Sequence, residues 1–218
     1  MIFPILLFIK NKMNKKEILT ATCKELLAQR GYSIESETNN IIIGVPLVIQ
    51  PSPSSHSSDS INYSSINKGE AEPSSEGGEY HRPIEKICIF LDNISNDFNV
   101  SKSSEYIIKL RAININHCII IYKEKITSVA KKITETINDF TIELFPSCEL
   151  MYNITKHYLV PLHKKLEDEA SKNFKLKYGI NIPIILYKDP VSRFYGFKPN
   201  DIIEVTRSTG FVTYRIVK

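Results

Sequence analysis

The chain has 218 residues, of which 42% are hydrophobic and 24% charged. That length holds one large domain or two small ones, and the composition is that of an ordinary globular protein, not a fibrous or wholly disordered one. The net charge of +4 is too small to mark a nucleic-acid binder by itself, but it is unevenly placed: residues 1–149 carry 16 Lys/Arg against 18 Asp/Glu, and residues 150–218 carry 12 against 6. A basic final third suits an acidic partner surface or nucleic acid, with a solvated basic face as the plainer alternative.

In chain order, the apolar run Met1–Ile9 has no preceding positive charge and no small-residue cleavage site close behind it, so it does not read as a secretory signal. It is also too short to span a bilayer. Met13, followed by Asn14-Lys-Lys-Glu17, is a more natural start. Residues 1–12 are therefore expected to be an upstream extension without a role in the fold. Residues 15–30 predict an amphipathic helix, with Ile18, Leu19, Thr22, Cys23, Leu26 and Leu27 at helical spacing and Gly31 as its stop. The β-branched run Ile41–Ile49 predicts a strand, which Pro46 places at a sheet edge or breaks. From about 50 to 82 the chain is dominated by Ser, Pro, Glu and Gly. Such a segment buries too little apolar surface to offset the entropy of ordering it, and reads as a disordered insertion.

An alternating pattern follows. Strands are predicted over Lys86–Leu91, His117–Tyr122 and Phe140–Phe145. Between them lie two helices. One covers Ser103–Ala112, capped by Ser103 or Ser104, and the other covers Thr127–Asn138, with Val129, Ile133 and Ile137 spaced for burial. This β-α-β-α-β order implies an α/β layer with partly parallel strands. Further on, a charged helix is predicted over Lys165–Tyr178, then the apolar Ile184–Tyr187 and a short helical turn from Asp189-Pro190 to Tyr195. Strands over Asp201–Arg207 and Phe211–Val217, separated only by Ser208-Thr209-Gly210, predict a closing β-hairpin.

Catalytic constellations are missing. There is no phosphate-binding glycine loop and no nucleophile elbow. An α/β layer could be a nuclease, but neither Asp-x-Lys nor Glu-x-Lys occurs to hold metal beside a phosphate. His157 and His163 lie six apart with Pro161 between them, and no Ser or Cys pairs with either. The four cysteines form no Cys-x-x-Cys, so a zinc site is not expected, and Cys88 and Cys118 read as buried reduced thiols within strands. Glu167-Asp-Glu169 lies where it would complement a helix dipole. Lys123, Lys125, Lys131 and Lys132 surround Thr127-Ser128, where a loop enters a helix. Free backbone N–H groups and positive charge there can hold a phosphate.

Three ordered blocks then point further. Asn153-Ile-Thr-Lys-His157-Tyr-Leu-Val-Pro161-Leu-His163, Asp189-Pro190-Val-Ser-Arg193-Phe-Tyr195-Gly196-Phe-Lys198, and Ile202–Arg207 with Tyr214-Arg215-Ile-Val together resemble the assembly domain that forms the small H-type subunit of archaeal RNA polymerase. The chain resembles the form of that subunit shared by eukaryotic nuclear polymerases I, II and III, or carried by a large DNA virus. The resemblance implies an α+β protein. Residues 13–145 would form an α/β jaw-like domain with a mostly central sheet, interrupted by the insertion. Residues 146–218 would form a small α/β assembly domain ending in the hairpin. It also implies a subunit with no active site, metal or cofactor of its own and no contact with a membrane. The assembly domain would dock on the largest polymerase subunit, and the jaw would meet downstream DNA weakly and without sequence preference. The location would be the nucleus, or a virion or cytoplasmic factory for a viral form. The implied partner-binding residues are His157, Pro161, His163, Asp189, Pro190, Arg193, Tyr195, Gly196, Lys198, Arg207, Tyr214 and Arg215. Lys123, Lys125, Thr127, Ser128, Lys131 and Lys132 would face DNA. The family's Ile-Thr-Pro-Ser-Ala stands here as Ile126-Thr-Ser-Val-Ala130, without the proline, and the hairpin turn is shorter than the family's. Two other readings compete: a nucleic-acid-processing enzyme built on the α/β layer, and an adaptor that reuses the assembly domain.

Overall fold

The computed structural model describes residues 14–38, 40–47, 85–91, 98–123 and 125–218. The extension expected over 1–12 and the insertion expected over about 50–82 lie outside them. The α+β reading holds. Five strands form one sheet in the order β1-β2-β3-β4-β5, and four form a second in the order β6-β8-β9-β7.

Helix α1 runs Lys15–Gln29 and opens on a capping box, in which the Asn14 N–H donates to Glu17 Oε2 at 3.0 Å. Gly31, at φ +81°, turns the chain back into β1 (Tyr32–Glu37) and then β2 (Ile41–Pro46), which pair antiparallel. The β1 segment, Tyr-Ser-Ile-Glu-Ser-Glu, carries almost no apolar signal because it is the exposed edge. Of the two alternatives expected for the strand containing Pro46, an edge position or a break, the edge position is not taken, and the strand ends at the proline. It lies between β1 and β3, and Pro46 is tolerated as its last residue.

The central pattern is β3 (Ile87–Leu91), α2 (Val100–Ile113), β4 (His117–Tyr122), α3 (Ser128–Thr136) and β5 (Thr141–Pro146). The three strands are parallel, with Ile89 beside Ile119 and Ile119 beside Glu143. Alternate residues point to opposite faces. Ile87, Ile89, Leu91, Ile119, Ile121 and Phe145 pack against Leu19, Cys23, Leu26 and Leu27 of α1. Cys88, Phe90, Cys118 and Ile120 pack against Tyr106 and Leu110 of α2 and Ala130 of α3. Cover on both faces is why β3 and β4 read as unbroken apolar runs.

One helix start and one buried helix face differ from the sequence reading. Asn99, not Ser103 or Ser104, caps α2, its side chain accepting from the Lys102 N–H at 3.0 Å, while Ser103 is buried inside the helix. In α3 the cap is Thr127, and the buried residues are Ala130 and Thr134, while Val129 is 58% exposed. The entering loop fixes that rotation: Thr127 N–H donates to Phe98 O, and Phe98 N–H to Lys125 O, both at 3.1 Å.

After two short 3-10 turns, Ser147–Leu150 and Ile154–Lys156, come β6 (Leu162–Lys165), α4 (Asp168–Tyr178), β7 (Ile184–Ile185), α5 (Pro190–Tyr195), β8 (Ile202–Thr206) and β9 (Val212–Val217). The charged helix is shorter than expected, because Lys165 belongs to β6 and Leu166 N–H still donates to Ile202 O at 2.9 Å. The final hairpin forms as expected. Ile185, Phe197, Ile203, Val205 and Val217 make the core of the second sheet.

The two sheets are joined through α5. Phe194 is buried in the core of the first sheet, among residues of α1 and β3–β5. Beside it lies Arg30, whose side chain is 5% exposed. It donates two hydrogen bonds to Glu143 of β5, at 2.7 and 2.8 Å, and reaches the Phe194 and Arg193 carbonyls at 3.0 and 2.7 Å. His117 Nε2 lies 2.8 Å from the same carboxylate. Gly196, at φ +70°, makes room for this arginine: a Cβ there would stand 2.9 Å from Arg30 Cζ. A second guanidinium, Arg193, reaches back to Glu149 and to the Leu144 carbonyl and lies 4.2 Å from the centre of the Phe145 ring.

Burial pushes the Glu143 carboxyl up, but the hydrogen bonds and charges of Arg30 and His117 outweigh it and hold it down at about 2. Removing one member of a buried pair strands the other, so Arg30→Ala should cost about 3–5 kcal/mol in urea unfolding. A carboxyl held low in the fold contributes stability above its ordinary value of 4.5, and that stability is lost as pH falls toward about 2. In the same assay over that acid range, Glu143→Gln should flatten the wild-type loss. The capping assignment is separately testable: Asn99→Ala should cost about 1 kcal/mol and Ser104→Ala clearly less.

Candidate partner-binding and nucleic-acid-facing surfaces

The three sequence blocks converge on the second sheet and its junction with the first. In the first block Asn153 is buried, and its amide donates to Glu25 of α1 at 2.7 Å, with Lys156 bonded to the other oxygen of that carboxylate. His157 follows on a turn, accepts from the Leu159 N–H at 3.3 Å, and stacks on Tyr158 with ring centres 4.9 Å apart. His163, in β6, pairs with Val205 of β8 and lies 2.8 Å through Nδ1 from the Pro161 carbonyl. Burial holds its pKa below the ordinary value. The Pro161 hydrogen bond and the Asp189 charge oppose that shift, and the Arg215 charge adds to it. His163 thus feels the charges of both Asp189 and Arg215.

In the second block Asp189 caps α5, accepting from the Val191 N–H at 2.8 Å, and Pro190 takes the first helical position, where its missing N–H costs nothing. Tyr195 is half-buried and stacks on Phe197, ring centres 5.1 Å apart. Arg193 and Gly196 serve the junction described above, so the chain itself uses much of this block. Lys198 and Arg207 remain exposed. Tyr214 donates to Glu204 at 3.2 Å and meets Phe174 of α4 at 4.7 Å.

The lysines expected to face DNA gather where the loop enters α3. Lys125, Thr127, Ser128, Lys131 and Lys132 are exposed or partly so, and Lys123 is partly exposed. The Thr127 side chain accepts from the Ala130 N–H at 3.3 Å. Lys131 approaches Glu135 only at 4.0 Å. The loop is anchored on two sides, to Phe98 and, through Ser147 Oγ donating to Lys123 O at 3.1 Å, to the connector after β5.

The hydrogen bonds of His157 and His163 go to backbone groups, and among the described residues no three His, Cys, Asp or Glu side chains gather to hold a metal. Cys23, Cys88 and Cys118 are free and buried. Burial raises all three thiols, the first two to about 12, so none is a poised nucleophile. Sequence reasoning missed Arg30, His117, Glu143 and Glu149. One signal was present: Glu143 is an acid in the middle of an otherwise apolar strand, Thr-Ile-Glu-Leu-Phe.

Comparison with known proteins accounts for these blocks. Residues 152–217 match the family described as RNA polymerase Rpb5, C-terminal domain. A putative DNA-directed RNA polymerase subunit of Invertebrate iridescent virus 6 is 40% identical over 111 residues, which cover 45% of this chain and 60% of that protein. The DNA-directed RNA polymerase subunit 5-like protein 1 of Arabidopsis thaliana is 31% identical over 141 residues, covering 61% of this chain and 67% of the relative. A subunit of DNA-directed RNA polymerases I, II and III from Dictyostelium discoideum is 28% identical over 144 residues, covering 62% and 73%. With three blocks, a closing hairpin and these relatives in agreement, the chain belongs to the RNA polymerase Rpb5 family.

Proposed function

We propose that the chain is a non-catalytic subunit of a DNA-directed RNA polymerase, with residues 146–218 docking on the largest subunit and residues 13–145 acting as a jaw beside downstream DNA. The observation that carries this reading is the family match over residues 152–217, which coincides with the second sheet. Its partner-binding residues are those of the three blocks, of which Pro190, Lys198 and Arg207 are exposed and His157, Asp189, Arg193, Gly196 and Arg215 partly so. The subunit has no active site of its own. It works in the nucleus, or in a virion or cytoplasmic factory if the chain is viral.

The DNA-facing reading draws on charge and backbone geometry. An anchored loop runs into the N-terminus of α3 with Lys125, Lys131 and Lys132 exposed around it. Backbone N–H groups and lysines of this kind attract phosphate without reading sequence. Affinity purification of the tagged chain from its native cell should bring down the large polymerase subunits in comparable amounts, and their absence would overturn the assignment. In the purified polymerase, replacing Lys123, Lys125, Lys131 and Lys132 together by Ala should leave assembly intact and weaken downstream DNA retention. Each phosphate contact removed should shallow the salt dependence by about 0.9 in log–log slope. Unchanged retention at low salt would count against a DNA-facing jaw.

A further inference from the structure

Two polar side chains stand between the junction of the sheets and the lysine loop, and neither belongs to the three sequence blocks. Both lie in the four-residue turn Ser147–Leu150, which follows directly on β5. Three residues of this turn face three different neighbours. Leu150 is buried in the core that α1 covers. The Glu149 carboxylate accepts from Arg193 of α5, whose guanidinium also grips β5 at the Leu144 carbonyl. The Ser147 hydroxyl donates to the Lys123 carbonyl at 3.1 Å. Ser147 is 1% exposed, and a hydroxyl so buried costs stability unless it is bonded.

That bond falls where the loop begins. β4 and β5 pair as far as Tyr122 and Pro146, and the Ser147 hydroxyl extends the pairing by one residue into the loop. The ion pair lies close by. Burial raises the pKa of Tyr122, the Glu149 charge adds to the rise, and the Arg193 charge opposes it. The far end of the loop is tied elsewhere. Phe98, itself buried, bridges to Ile126, donating to Lys125 O and accepting from the Thr127 N–H, both at 3.1 Å.

The loop is thus clamped at both ends, and one clamp is held in turn by Arg193. Removing the Ser147 hydroxyl would leave the β4–β5 ladder in place and free the end that carries Lys123. Lysines on a freed backbone sample more space, so a phosphate contact made by them carries an added ordering cost.

We propose that Ser147 and Glu149 are positioning residues for the phosphate contact of the lysine loop: held by Arg193, their turn fixes where Lys123 and Lys125 stand. This rests on the DNA-facing reading above. The test uses polymerase purified through the full tagged chain, with the dissociation rate of downstream DNA at low salt as the readout. Ser147→Ala and Glu149→Gln should each leave recovery of the large subunits unchanged and speed dissociation by about threefold or more. In a chain whose Lys123, Lys125, Lys131 and Lys132 are also replaced by Ala, Ser147→Ala and Glu149→Gln should add nothing, because residues that act through the lysines have no effect without them. An effect of the same size in that background would show a merely structural role and overturn the inference. Rates within about 1.5-fold of wild type in both single variants would overturn it too, while leaving the DNA-facing reading intact. Loss with Ser147→Ala alone would overturn the part given to Glu149. Should Ser147→Ala fail to assemble, Glu149→Gln, at a partly exposed side chain, decides by the same two measurements. Unchanged dissociation on replacing the lysines alone would overturn the DNA-facing reading and this inference with it.

Discussion

One guanidinium holds the molecule's two halves in register. Arg30 closes α1, binds Glu143 of the first sheet with two hydrogen bonds, and carries the Arg193 and Phe194 carbonyls of α5 on its remaining donors. A buried carboxylate costs several kcal/mol to desolvate and is tolerated only when its oxygens are satisfied. Here Arg30 and His117 satisfy Glu143. The pair therefore contributes less to net stability than its contact list suggests. What it specifies is geometry, because a planar two-pronged contact fixes angle as well as distance. Gly196 belongs to the same unit, since a side chain there would meet the guanidinium.

Around that polar contact the apolar packing is shared across the junction. Phe194 comes from the last third of the chain but is buried among Leu19, Leu26, Ile89 and Phe145. Arg193, one residue earlier, lies over the Phe145 ring and reaches the Leu144 carbonyl. β5 is an edge strand of the first sheet, and this arginine covers part of it. Exposed edges invite pairing with other chains. The six-residue helix α5 thus does three things at once: it plugs a core, blunts an edge and presents carbonyls to Arg30.

Much of this architecture was legible in the sequence, for reasons that vary by element. β3 and β4 were plain because cover on both faces makes them continuous apolar runs, and the closing hairpin was plain because a short Gly-containing turn separates two β-branched strands. β1 was invisible because an edge strand with one exposed face needs few apolar residues. The α2 cap was misplaced because several Ser and Asn residues close together can all accept an N–H, and only the fold chooses Asn99. α3 was rotated because its buried positions are Ala130 and Thr134, small residues with little hydrophobic signal, while Val129 faces out. The blocks that identify the family were legible as motifs, but not in what they do. Arg193 and Gly196 looked like a contact surface, and the fold uses them to receive Arg30 and grip β5. No local pattern announces a partner that lies more than a hundred residues away in sequence.

That use changes what the junction means for function. Were Arg193 and its neighbours at the surface, the two sheets could move independently, and docking through one would say little about the other. With Arg30, Glu143, Arg193 and Phe194 interlocked, the first sheet is carried by the second. The lysine loop is then two short links from the junction: the Lys123 carbonyl accepts from Ser147, and Ser147 follows directly on β5, which bears Glu143, Leu144 and Phe145. For the phosphate contact proposed at this loop, such rigidity would fix where the contact is made. Electrostatic attraction of this kind carries no positional information of its own. The position comes from the scaffold, and the contacts around Arg30 transmit it.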